Sequence, residues 1–116
     1  MIAPVSKANA AHYLWGQACE GWHLLERSDL HVIHELMPQG AGETAHRHEI
    51  ARQVFFVLSG KLGMEIEDTI HQLAPHDSLE IAPGIVHRAF NAGREPVEFL
   101  VISHPSTRGD RQDEPL

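Results

Sequence analysis

The sequence predicts an all-β domain, an antiparallel sandwich or barrel. Three observations carry that prediction: many short strand-like segments at regular spacing, turn residues between them, and no strong helix signal anywhere. The alternation is cleanest at Leu62, Met64 and Ile66, which alternate with Lys61, Glu65 and Glu67. A period of two is the mark of a strand with one buried face.

The elements follow in order. Lys7 to His12 is the best helical candidate, and it is short. Gly21 to Glu26 reads as a strand. Leu30 to Met37 reads as another, ended by Pro38 and Gly40. Thr44 to His48 is extended. Gln53 to Leu58 is rich in Val and Phe and stops at Ser59–Gly60. A turn at Asp68–Thr69 reverses the chain into Ile70 to Leu73. Ser78 to Ala82 leads into Pro83–Gly84, His87 to Phe90 ends at Asn91–Gly93, and Val97 to Ser103 is the last apolar strand. No internal repeat or linker interrupts the series. Residues 1–103 are expected to form one domain, and residues 104–116 a polar surface tail, partly disordered. Arg108 to Asp110 spell RGD, read here as solvated tail rather than as an adhesion motif.

Bulk composition excludes several function classes. The 116 residues carry a formal net charge of -7, the wrong sign for nucleic acid or an anionic membrane surface. No stretch is long and apolar enough to span a bilayer, and the first residues lack the pattern of a secretion signal. Cytoplasmic location is the resulting expectation. Cys19 is the only cysteine and reads as a small buried hydrophobe.

Chemistry concentrates between Gly40 and Gly60. His46 and His48 are two apart, so in a strand they share a face. Gln53 lies five residues further on, and His87 sits downstream behind the Pro83–Gly84 turn. Three imidazoles and a polar side chain converging on one face are a candidate divalent-metal site. Parity then assigns Phe55, Val57, Met64, Phe99 and Val101 to the walls of an apolar pocket around it. His34 reaches the pocket mouth if its strand turns it inward, which makes it the acid–base candidate. His12, His23, His31, His71 and His104 have no partner at metal spacing and read as surface or structural, and His76 is left undecided. Trp15 and Trp22 are assigned to a packing or dimer contact, Arg47 and Arg52 to solvent or a partner subunit, and Asn91 to a turn or cap.

These residues resemble the two motifs of the cupin superfamily. Gly40, His46, His48, Gln53 and Gly60 fit G-x5-H-x-H-x(3,4)-E-x6-G in every spacing, with Gln53 at the glutamate position. The second motif, G-x5-P-x-G-x2-H-x3-N, is similar to His76 through Asn91. Gly84, His87 and Asn91 match, while His76 replaces the first glycine and Ala82 the proline. The resemblance, to small single-domain type-2 cupins, implies a jelly-roll β-barrel that binds a divalent ion (Fe, Mn, Ni, Zn or Cu) at His46, His48, Gln53 and His87. It also implies a small-molecule ligand and a homodimer. Its functional expectation is an enzyme on a small polar or anionic molecule, dioxygenase first, then isomerase or lyase. The alternatives are a small-ligand binding or sensor protein with structural metal, or a metal-free structural cupin.

Overall fold

A computed structural model describes residues 2–114. Among them no helix forms, and eleven strands build two antiparallel sheets. The strands are β1 (Ala11–Trp15), β2 (Cys19–Glu26), β3 (His31–Met37), β4 (His46–Arg47), β5 (Arg52–Ser59), β6 (Leu62–Ile66), β7 (Thr69–Leu73), β8 (Ser78–Ile81), β9 (His87–Phe90), β10 (Val97–His104) and β11 (Gln112–Asp113). The first sheet runs β1-β2-β3-β10-β5-β8, and the second β11-β4-β9-β6-β7. Every connection between hydrogen-bonded neighbours is antiparallel, and the two sheets face each other across one core.

The core follows from side-chain alternation. Phe55 and Val57 on β5 point inward with Phe99 and Val101 on β10, while Phe56, Leu100 and Ile102 lie on the outer face. Leu62 and Met64 on β6 and Ala89 on β9 close the core from the second sheet.

The expected helix at Lys7 to His12 is corrected to a single turn followed by a strand. The Ser6 carbonyl accepts from the amides of Asn9 (3.1 Å) and Ala10 (2.8 Å), and Asn9 Oδ1 accepts from Ser6 N–H (2.8 Å). This local bonding by an Asn side chain ends the turn. The following residues then pair with β2, from Ala11 opposite His23 to Trp15 opposite Cys19.

The motif glycines serve the backbone. Gly60 has φ +78°, and a Cβ there would sit 2.5 Å from the Pro96 carbonyl oxygen. Gly60→Ala is therefore expected to cost about 1–3 kcal/mol and to lower the calorimetric unfolding midpoint by several degrees. His76 stands where the second motif has a glycine, and it holds φ +73° with its N–H bonded to the Val57 carbonyl at 2.7 Å. The turn keeps a left-handed conformation although its glycine is gone.

The C-terminal residues fold back onto the barrel. The Asp110 carboxylate accepts from the backbone amides of Glu49 (2.8 Å), Ile50 (3.0 Å) and Ala51 (2.9 Å), and β11 adds to the edge of the second sheet beside β4. The tail expected to be partly disordered is thus a bonded strap through Asp113. Burial raises the Asp110 pKa, but the amides of Ala51, Ile50 and Glu49 outweigh it and hold the carboxyl below its ordinary range.

Candidate metal centre

Both sheets contribute to the site. His46 on β4 is directly opposite His87 on β9, which joins the two motifs across one strand pair. His48 follows at i+2 on the same face. The ring centroids lie 4.9 Å apart for His46–His48, 4.5 Å for His46–His87 and 5.8 Å for His48–His87. One ring nitrogen from each lies within 4.8 Å of the other two. All three side chains are buried.

Hydrogen bonds fix the tautomers. Nδ1 of His46 donates to the Thr44 carbonyl (2.7 Å), Nδ1 of His87 to the Ile85 carbonyl (2.9 Å) and Nδ1 of His48 to the Asp110 carbonyl (2.5 Å). Each ring therefore presents Nε2 as a lone pair, the form a metal requires. Burial lowers the pKa of all three, that of His46 to about 3, so they are neutral at physiological pH.

Gln53 completes the set from the first sheet. Its Nε2 donates to Ser103 Oγ at 3.1 Å, while its Oε1 is buried with no partner. Nε2 of His87 is likewise buried and unpartnered. Orphaned buried acceptors are costly and rare. An unpartnered ring nitrogen and an unpartnered amide oxygen are donor types that suit a divalent ion.

The adjoining cavity holds about 160 Å³ and takes its walls from both sheets. Phe55, Phe99 and Val101 border it. Val57 and Met64 do not. Val57 lies opposite Phe99, Met64 lies opposite Ala89, and both are fully buried in the hydrophobic core. His34 is corrected as well. It alternates with Ile33 and Glu35, which face the cavity, so it points outward, where its Nε2 meets Glu98 Oε1 at 2.8 Å. Arg47 and Arg52 are engaged on the surface with Glu49 and Glu80, and Asn91 caps a turn through the Met37 and Glu95 carbonyls, all as expected.

Three charged residues of the cavity escaped the sequence reading: Glu35, Glu43 and Arg111. Burial, then the neighbouring Glu43 charge, pushes the Glu35 carboxyl up to about 8. Burial pushes Glu43 up to about 7 against the pull of its bond from the Ala89 amide (3.0 Å) and of Arg111 and Arg88. Arg111 comes from the strap and is exposed at the mouth. Only the position of Glu43, three residues before His46, offered a sequence signal.

The Cupin domain family profile matches residues 32–103, most of the chain. The chain is a member of the cupin family. Among the solved structures this cupin resembles, the polyketide cyclase RemF from Streptomyces resistomycificus superposes with a TM-score of 0.84 at 16% identity, covering 100% of this chain and 87% of that one. A sugar phosphate isomerase of the cupin superfamily from Silicibacter pomeroyi gives 0.80 at 17%, covering 90% and 76%. At these identities the likeness establishes the double-layered β fold and no activity. An oxidoreductase of Arthrobotrys oligospora is 28% identical over 100 residues, 83% of this cupin and 40% of that protein. The chain spans about half the length of the curated relatives it matches. No helix among the described residues is long and apolar enough to cross a membrane.

Proposed function

We propose that this cupin is a metal-dependent enzyme that moves a proton on a small, oxygenated anion, a reaction of the isomerase or lyase type. One observation carries the reading: two carboxyls with raised pKa values, Glu35 and Glu43, share a 160 Å³ cavity with His46, His48 and Gln53 of the candidate centre. His46, His48, His87 and Gln53 Oε1 would hold the cation. When bound, it would act as a Lewis acid on a substrate oxygen.

The chain's own groups supply the rest. Glu43, near half-ionised at neutral pH, is the base; one oxygen is held by the Ala89 amide and the other is left to take a proton. Glu35, protonated at neutral pH, is the acid that returns one. Arg111 at the mouth receives the substrate's anionic group. Phe55, Phe99 and Val101 keep water away from the reacting carbon. A space close to that of a benzene-sized cavity limits the enclosed part of the substrate to a few heavy atoms.

The test is solvent deuterium uptake. Protein loaded with Mn, Fe, Ni or Zn is incubated with small 2-oxo and hydroxy acids in D2O and followed by NMR. Exchange that disappears in Glu43→Gln supports the proposal. Binding without exchange for any metal would favour the non-enzymatic carrier. Oxygen uptake by the Fe-loaded protein would favour the dioxygenase reading, which the oxidoreductase relative supports.

Gln53 sets the charge of the centre. Three imidazoles and an amide leave two net positive charges on a divalent site, where a glutamate would leave one. Gln53→Glu is expected to hold metal about tenfold or more tightly and to bind oxalate or phosphate more weakly, both readable by calorimetry. We also propose the homodimer implied by the family resemblance. Its support is the half-buried apolar outer face of Val54, Phe56, Leu100 and Ile102, and light scattering is expected to give twice the chain mass.

A further inference from the structure

We propose that His23, Glu26 and His31 form a second divalent transition-metal site, suited to Zn(II) or Cu(II), independent of the His46–His48–His87 centre. Spacing along the sequence conceals it. A bulge in β2 between His23 and Leu25 shifts the register, so that His23 pairs with Ile33 while Glu26 pairs with His31. The inserted residue brings His23, Glu26 and His31 together at one end of the β2–β3 ladder, and bulges are a common means of re-aiming a side chain.

The geometry is that of a small ligand set. Nδ1 of His23 lies 2.8 Å from Nε2 of His31 and 3.8 Å from Glu26 Oε2. Donor atoms bound tetrahedrally at zinc distances are separated by roughly 3.3 Å, between these two values. The rings are almost parallel, and His23 is also stacked on Tyr13 at 4.8 Å, which fixes its plane. Two imidazoles and a carboxylate suit Zn(II) and Cu(II) better than Mg(II) or Ca(II).

The protonation of the pair leaves room for an ion. Two ring nitrogens at 2.8 Å must hold one proton between them when no cation is present. Nδ1 of His31, in a ring only 4% exposed, has no hydrogen-bond partner. No backbone carbonyl fixes the His31 tautomer, in contrast to the three histidines of the first centre. A cation would replace the shared proton and join the two lone pairs. A cleft of about 290 Å³ lined by Glu26, Arg27, Ser28, Ser106 and Arg108 adjoins the group at Glu26.

Arg108 is the gate. Its guanidinium is bonded to the Glu26 carboxylate and competes with any cation for it. The side chain is 71% exposed, so it can swing away when an ion arrives. The arginine of the RGD triplet thus acquires a local role in place of an adhesive one.

The experiment is metal counting on chelated, refilled protein. Zn(II) and Cu(II) titrations are followed by calorimetry, and bound Cu(II) by electron paramagnetic resonance. The wild type is expected to take two equivalents, His48→Ala to retain one with two-nitrogen hyperfine structure, and His23→Ala to lose that signal. Arg108→Ala, an exposed change with little risk to folding, is expected to tighten this site about tenfold and leave the other unchanged. A His23→Ala protein that keeps every equivalent of the wild type overturns the proposal, as does an unchanged affinity in Arg108→Ala. One equivalent in the wild type, lost in His23→Ala and kept in His48→Ala, would leave this site standing and sink the first centre instead.

Discussion

His48→Ala is expected to remove the first centre's metal from the purified protein, a drop of one equivalent by elemental analysis, and with it all metal-dependent turnover. The three imidazoles differ in what else they support. His46 and His87 donate to carbonyls within two residues of themselves, whereas His48 donates to Asp110, sixty-two residues away. Losing His48 removes one of the Nε2 donors and one anchor of the strap together. With only two imidazoles and an amide left, affinity should fall by two orders of magnitude or more. A protein that folds, keeps the strap and still retains full metal at the centre would remove the basis for treating the trio as ligands.

The second large effect is a change in how stability depends on pH. Glu35 has a folded-state pKa raised from 4.5 to about 8, chiefly by burial. A carboxyl raised in this way stabilises the fold fully below pH 4.5. Its contribution is lost as pH rises towards 8, because the folded chain must then carry a buried charge or keep a proton the unfolded chain releases. Glu35→Gln keeps the shape and removes the ionisation. In metal-free protein it is expected to be near neutral at pH 4.5 and stabilising by about 2 kcal/mol at pH 8, allowing for solvent at the cavity mouth. Urea unfolding at the two pH values measures the difference. Equal effects at both would mean that Glu35 ionises freely.

The trio was legible because two independent regularities agree. Strand parity puts His46 and His48 on one face, and the strand pair β4–β9 sets His87 opposite His46. Gln53 was legible for the same reason, since β5 alternates strongly between Phe55 and Val57 inside and Phe56 and Leu58 outside. β3 has no such contrast. Val32 and Ile33 are both apolar, His34 and Glu35 both polar, Leu36 and Met37 both apolar. Nothing in that pattern says which face is buried, so parity does not separate His34 from Glu35 as the residue facing the cavity. The meeting of His23 with His31 was hidden by the β2 bulge, which breaks the parity rule locally. The strap was hidden because polar bonds between Asp110 and three loop amides leave no hydrophobic signature.

The carbonyl of Asp110 is the acceptor that orients His48, and this makes ion capture and docking of the C-terminal segment reciprocal events. Whatever factor the seated strap adds to metal affinity, the metal must return to the strap's hold on the barrel. A metal-loaded chain should therefore protect its 49–51 amides from hydrogen exchange more than an apo chain does. In this cupin the turn from Thr107 to Asp110 is expected to report the occupancy of a centre it never touches with a side-chain ligand.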